Sequence, residues 1–245
     1  MVRIHRDYVE AGAEVLTADT FRTQARTLAR AGLEARAAEL TARAVALARD
    51  ALGAVSQGWI AGSMPTLEDC WRPDLTPDDA SLDREHAAHA ENLAEAGVDL
   101  VLVETMNTRR EAIAATRAAR ATGLPVWVSF ACDERARLLS GEPLADALAD
   151  VARFEPALVG VNCLPPPHVA PALDVLRALG RPFAVYANLG APDDAGGRTH
   201  DATPDAFAAH ARRWIDAGAR AVGGCCGTTP AHVRAITDSI DADMR

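Results

Sequence analysis

Two adjacent cysteines, Cys225 and Cys226, follow an apolar run of the chain and are flanked by glycines. Neighbouring cysteines do not easily form a disulfide with each other, because a disulfide requires a wider separation of the two Cα atoms. Two thiolates at the end of a strand can instead bind one metal ion if the chain supplies a third ligand. Thr229 suits a helix N-cap and Pro230 suits the first helical position, so a helix is predicted to begin directly after the pair.

The candidate third ligand is Cys163, which ends the apolar run 158–163. Taken alone, Cys163 is most simply interpreted as a small buried hydrophobic residue. In a barrel, however, its strand and the strand that ends at Cys225 and Cys226 are one strand apart and open on the same mouth. Three thiolates with one open coordination position are typical of a catalytic zinc site, and sulfur ligands favour Zn²⁺ over Mg²⁺ or Ca²⁺. We therefore expect these three cysteines to bind Zn²⁺.

Polar residues also end the other apolar runs, a pattern that packing alone does not explain. These residues are Thr17, Asp19, Ser63, Glu104, Ser129, Asn162 and Asn188. A lone carboxylate such as Glu104 at the end of an apolar strand costs free energy unless it is paired or used. It is predicted either to form a salt bridge with Arg109 or Arg110 or to bind a cationic group such as a substrate ammonium. Asn162 is predicted either to support the backbone or to bind a ligand.

The elements that position these residues are short apolar runs that alternate with segments of helical period. The predicted strands are residues 13–19, 54–61, 98–105, 126–130, 158–163, 183–188 and 219–224. The predicted helices are residues 3–11, 36–52, 82–96, 109–121, 144–154, 169–179, 204–217 and 230 to the end. Near-continuous apolar strands joined by single helices indicate a covered parallel sheet. No glycine-rich phosphate loop follows the first strand, which favours a TIM (β/α)8-type barrel over a doubly wound sheet. Seven strands are visible and strand 1 is missing; residues 1–245 are expected to form a single domain.

Composition excludes several classes of function. The net charge of −9 argues against a nucleic-acid partner, which would require a basic face. The chain contains no lysine, so a Schiff-base lysine mechanism is impossible. No apolar run approaches the ~20 residues of a membrane helix, and no signal peptide is recognisable, so a cytoplasmic protein is expected.

The remaining histidines and cysteines give weaker signals. His86, His89, His210 and His232 fall on predicted helices and are expected to be solvated, so a histidine-based zinc hydrolase has little support. Cys70 and Cys132 are expected to be ordinary free thiols. Residues 64–76 and 189–200 are predicted to be loops, the first of them on the surface.

Taken together, these motifs resemble the homocysteine S-methyltransferase family. The similar segments are Gly160-Val161-Asn162-Cys163, residues 223–228, Leu102-Val103-Glu104-Thr105, residues 61–63, residues 128–130, and the opening from His5 to Phe21. The resemblance implies a (β/α)8 barrel that binds one Zn²⁺ through Cys163, Cys225 and Cys226. It implies that homocysteine is the fourth ligand and, as a thiolate, attacks the methyl group of a donor. Glu104 would hold the amino group of homocysteine and Asn162 would orient the site. Ser129, Thr17 and Asp19 are further candidate substrate-binding residues.

The chain also departs from the family pattern. Members usually begin with a strand that ends in an Asp-Gly-Gly type segment, and this sequence has no counterpart to it. The expected donor is S-methylmethionine or S-adenosylmethionine, since there is no room for folate or cobalamin domains. Two alternatives are a methyltransferase for another thiol or selenol, and a zinc-binding barrel that is catalytically impaired. A homo-oligomer is a further expectation, in which another chain covers the gap left by the missing strand.

Overall fold

The computed structural model describes residues 1–53, 58–189 and 202–243, which form one curled parallel β-sheet covered by helices. The strands are β1 (Val15–Ala18), β2 (Trp59–Met64), β3 (Leu100–Met106), β4 (Val126–Phe130), β5 (Leu158–Asn162), β6 (Phe183–Ala187) and β7 (Ala221–Gly224). The helices are α1 (Val2–Glu10), α2 (Ala25–Ala29), α3 (Ala37–Leu52), α4 (Asp79–Glu95), α5 (Arg109–Ala121), α6 (Leu144–Ala152), α7 (Val169–Leu179), α8 (Pro204–Asp216) and α9 (Pro230–Asp243). Each strand pairs in parallel with the next in chain order, as in a TIM-type barrel.

The two faces of the sheet differ in character because successive side chains of a strand point to opposite sides. The outer face packs against the helices in one large apolar cluster that includes Ile60, Val103 and Phe130. On the inner face a smaller cluster groups Ala61, Leu100 and Leu102. The inner face therefore carries less apolar packing, and its upper layer is where the polar side chains lie.

Within the described residues, β1 and β7 each pair with one neighbour, so the sheet has two free edges. On the inner face near one edge, Thr17 is exposed and Trp59 is 47% exposed. Outside the sheet, α1 contacts α9 and so spans the opening between the edges. Among the helices of the described ranges, none has the length and apolar character needed to cross a membrane.

Several sequence-based expectations need correction. β2 runs from Trp59 to Met64, later than the predicted 54–61, so Ser63 lies inside the strand; residues 54–57 are outside the described part. Residues 64–67 are buried rather than part of a surface loop. Most of the predicted loop 189–200 also lies outside the described residues.

The histidines on the predicted helices were expected to be solvated, and this is wrong for three of them. His86 and His89 of α4 are almost fully buried, as is His232 of α9. His86 Nε2 contacts the Glu111 carboxylate of α5, while His89 Nε2 lies 3.3 Å from the carbonyl oxygen of Ser63. Burial lowers the pKa of His89 to about 4, so its imidazole is neutral at physiological pH.

Candidate metal centre

Three cysteine sulfurs meet at the carboxyl ends of β5 and β7. Sγ of Cys163 lies 3.7 Å from Sγ of Cys226, Sγ of Cys225 lies 4.0 Å from the latter, and all three atoms are within 4.8 Å of one another. Four ligands arranged tetrahedrally at the usual zinc–sulfur distance of about 2.3 Å place sulfur atoms about 3.8 Å apart. All three cysteines are free thiols. The donor set and its spacing therefore fit a metal ion that prefers sulfur ligands.

The cysteine pair sits on a tight turn that its glycines make possible. The Thr228 hydroxyl and backbone N–H both donate to the carbonyl oxygen of Cys225, at 2.7 and 3.2 Å. A Cβ at Gly224 would lie 2.2 Å from Oγ1 of Thr228, so only glycine permits this folding back. Gly227 has a φ of +84°, a conformation that favours glycine. The sequence Gly-Cys-Cys-Gly-Thr thus presents both thiols at the mouth.

Cys163 is held in place from β6 and from the segment that follows it. Its backbone N–H donates to the carbonyl oxygen of Tyr186, and its carbonyl oxygen accepts from the Asn188 side chain at 2.9 Å. Its φ of +59° is unusual for a residue other than glycine and is therefore a locally strained conformation. Cys163 is buried and Cys226 exposed, so the group of sulfurs spans from the interior to the surface of the mouth.

In the metal-free protein the thiols of Cys163 and Cys225 hold their protons. The pKa of Cys225 lies well above its usual range because of hydrogen bonds with Cys163 and Cys226, with burial as a further cause. For Cys163, the hydrogen bond with Cys225 lowers the pKa, but that with Cys226 and burial prevail and raise it to about 12. Binding of a divalent cation would have to displace these protons.

Glu104 lies in the same mouth as the sulfurs. Its carboxylate is buried on the inner face of β3 and accepts a hydrogen bond of 2.5 Å from Oγ of Ser63. Burial raises the pKa of Glu104 to about 7; the hydroxyls of Ser63 and Tyr186 act against this rise, and Cys226 adds to it. Arg109 pairs with Asp146 and Asp150, and Arg110 pairs with Asp79, so the salt bridge that was one of the two alternatives for Glu104 is absent from the described residues.

Asn162 connects β3, β4 and β5 beneath the mouth. Its Oδ1 accepts from the backbone N–H of Thr105 at 3.1 Å and from Oγ of Ser129 at 2.8 Å. Its Nδ2 donates to Oγ1 of Thr105 at 2.8 Å. Thr105 has a φ of +59°, so these bonds also support a strained residue directly after Glu104. This geometry favours the alternative in which Asn162 supports the backbone.

Two of the sequence candidates, Thr17 and Asp19, are exposed on and after β1, at the free edge of the sheet. Asp19 lies near His5 of α1, where it partly offsets the lowering of the His5 pKa by burial.

Sequence reasoning gave no role to two side chains of the site. Ser63 was recognised as a polar strand end, but its bond to Glu104 was not foreseen. Tyr186 was missed, although its place among apolar residues of β6 was a usable signal. Its hydroxyl is buried beside Glu104 and Ser129, close enough to affect the pKa of Glu104, but it meets no partner with full hydrogen-bond geometry within the described residues.

Fold and site together define a TIM-type barrel protein with a metal-competent group of three cysteines at the carboxyl ends of its strands. Residues 1–240 match the model of the homocysteine S-methyltransferase family, and the chain belongs to this family of methyltransferase enzymes. Homocysteine S-methyltransferase 1 of Zea mays is 29% identical, over 96% of this chain and 81% of its own length. Homocysteine S-methyltransferase YbgG of Bacillus subtilis (strain 168) is 26% identical over the same shares. The metallated form of the homocysteine methyltransferase MmuM from Escherichia coli has a TM-score of 0.83 and 30% identity, covering 97% of this chain and 83% of that one.

Proposed function

We propose that this enzyme transfers a methyl group from a sulfonium donor, S-methylmethionine or S-adenosylmethionine, to homocysteine and depends on zinc. The observation that carries the proposal is the group of three sulfurs with zinc-compatible spacing in the same mouth as the buried carboxylate of Glu104. The metal site would bind the thiol of an amino-acid substrate, and the Glu104 carboxylate would bind its ammonium group. The metallated form of the Escherichia coli relative supports a metal at this site.

In the proposed mechanism, Cys163, Cys225 and Cys226 would hold a zinc ion, and zinc bound there would supply the positive charge that favours the ionised form of the acceptor thiol at neutral pH. Glu104 releases its proton when the acceptor enters and pairs with the acceptor ammonium. Asn162, held by Thr105 and Ser129, keeps the ends of β3 and β5 at a fixed distance. The acceptor sulfur forms a bond to the methyl carbon as the bond from that carbon to the donor sulfur breaks. The electron pair of the broken bond stays on the donor, which leaves as a neutral thioether.

The remaining candidate residues have peripheral roles in this proposal. Ser129 acts through Asn162, to which it donates a hydrogen bond. Thr17 and Asp19 contribute to the rim of the mouth. We also propose that residues 1–245 act as one domain, and that the sheet lacks one strand of an eight-stranded barrel between β1 and β7. The free edges of these two strands support that last point.

Metal analysis combined with a methyl-transfer assay tests this function. The purified protein should contain about one zinc per chain and form methionine from homocysteine with one of the two sulfonium donors. Cys163→Ala should lose both zinc and activity, whereas Cys132→Ala, which removes a buried thiol outside the group, should retain both. Zinc-free protein with full activity would refute the mechanism.

The same assay separates the alternatives. A panel of acceptors that includes cysteine and selenohomocysteine would reveal a different thiol or selenol substrate. Bound zinc without transfer to any acceptor would indicate an impaired barrel, a result that the free edges of the sheet would help to explain.

A further inference from the structure

Three hydrogen bonds join α1 and its C-terminal end to the segment that contains β7 and α9. The Tyr8 hydroxyl donates to the carbonyl oxygen of Thr228 at 2.9 Å. Arg234 donates to the carbonyl oxygen of Glu10 at 2.6 Å, and the Thr237 hydroxyl donates to that of Ala11 at 3.3 Å. In the described residues β1 and β7 share no backbone pairing. These bonds therefore help to fix the segment of β7 and α9 relative to the first elements of the chain.

Of the three hydrogen bonds, only the one from Tyr8 ends on the turn that carries the cysteine pair. Arg234 and Thr237 lie within α9, beyond its first turn. Thr228 instead closes the turn that carries the cysteine pair, since its backbone N–H and its hydroxyl both donate to the carbonyl oxygen of Cys225. A shift of the Thr228 peptide would therefore move Cys225.

The other side of this turn is already held by β6. The backbone N–H of Cys225 donates to the carbonyl oxygen of Ala187 at 2.7 Å, and that of Leu189 donates to the carbonyl oxygen of Cys226 at 3.1 Å. Tyr8 thus provides the restraint on the side where the sheet has its free edge.

We propose that Tyr8 is a positioning residue for the metal centre, which holds the turn 225–228 against α1 so that Cys225 and Cys226 face Cys163. This inference rests on the proposed metal site. Without the hydroxyl, the turn loses its direct bond to α1 at the carbonyl oxygen of Thr228 and keeps its bonds to Ala187 and Leu189 on the other side. The three sulfurs then spend less time at the spacing that one metal ion requires.

The test compares Tyr8→Phe with two matched variants, Arg234→Met and Thr237→Val, which break the other contacts without touching the turn. Zinc affinity is measured by competition with a chelating dye, and the visible spectrum of the cobalt-loaded protein reports the ligand geometry. Loss of a hydrogen bond to a metal ligand typically weakens metal binding about 10–100-fold; Tyr8 acts on the ligands through Thr228, so Tyr8→Phe should bind zinc about 10-fold more weakly, the low end of that range. Its cobalt bands should shift, whereas the matched variants should keep the wild-type affinity and spectrum.

A second measurement needs no metal. Mass spectrometry after brief alkylation gives the relative reaction rates of the individual cysteines in the metal-free protein. Tyr8→Phe should change the rates of Cys225 and Cys226 relative to that of Cys132, and the matched variants should not. Unchanged rates together with unchanged affinity would overturn the inference, as would equal losses in all three variants. Wild-type protein that binds no zinc would refute the proposed function, and the alkylation rates would still decide the role of Tyr8.

Discussion

Replacement of Glu104 by glutamine should make the metal-free protein more stable at alkaline pH while it impairs the enzyme. The glutamine side chain has nearly the same shape, and its oxygen can still accept the hydrogen bond from Ser63. What it removes is the ionisation of a buried carboxyl group. A buried carboxylate without a counter-charge destabilises the folded state, and a bound cationic substrate would remove this cost.

The size and the pH range of the effect follow from the pKa. Folding raises the pKa of Glu104 from 4.5 to about 7, so the native state holds this proton more tightly than the unfolded state. Wild-type stability therefore falls as the pH rises from about 4.5 to 7. The total fall is up to about 3.5 kcal/mol, because a tenfold change in proton affinity corresponds to roughly 1.4 kcal/mol. The variant lacks this fall, so its advantage over the wild type should be larger at pH 8 than at pH 5.

Urea unfolding of metal-free protein at both pH values measures the difference, with the exposed Glu34→Gln as a control that should show no such trend. In the transfer assay, Glu104→Gln should raise the KM for the acceptor. Loss of a charged hydrogen bond costs about 1.5–3 kcal/mol, which corresponds to roughly 10–100-fold. If the stability difference between variant and wild type is the same at pH 5 and pH 8, folding does not raise the pKa of Glu104. The carboxyl group would then be exposed or paired with a positive charge, and the argument would fail.

Three further predictions concern other parts of the site. Cys226→Ser should lose zinc at chelator concentrations that leave the wild type loaded, as measured by metal analysis; retained zinc would mean that two sulfurs suffice. Ser63→Ala removes the hydrogen bond that stabilises the ionised form of Glu104, so the acceptor KM should rise and its pH dependence should move to higher pH; an unchanged profile would contradict this. Gly160→Ala would place a Cβ 2.4 Å from the carbonyl oxygen of Ala184, so urea unfolding should show a loss of about 1–3 kcal/mol, and unchanged stability would show that the strands can move apart.

The meeting of the three cysteines was predictable because the strand ends of a parallel barrel converge whatever the details of packing. Cys163 and the pair Cys225 and Cys226 each follow an apolar run, so their meeting depends only on strand order. The order and type of the seven strands were predictable for the same reason. The bounds of β2 could not be predicted in this way. The apolar run 54–61 continues into Gly62 and Met64, which are buried by tertiary contacts.

The hydrogen-bond partners inside the barrel could not be predicted from the sequence. Asn162 reaches across to Thr105 and Ser129, which are 57 and 33 residues away, and nothing local to it specifies these contacts. The buried histidines of α4 were missed because a histidine at a helical position is usually exposed. Here the face of α4 that carries His86 meets Glu111 of α5, a pairing that depends on how the two helices pack.

The polar contacts of the mouth form two groups that meet at Tyr186. On one side, the Thr20 hydroxyl donates to the carbonyl oxygen of Ser63, whose own hydroxyl donates to Glu104, so β1, β2 and β3 are joined. On the other side, the carbonyl oxygen of Tyr186 fixes Cys163, while its hydroxyl lies beside Glu104 without completing a hydrogen bond in the described residues. In the proposed function, an acceptor with its ammonium at Glu104 and its sulfur at the cysteines would pass beside Tyr186. The Tyr186 hydroxyl would then lie next to the bound acceptor, and its backbone is held in place because its carbonyl oxygen accepts the hydrogen bond of the Cys163 N–H.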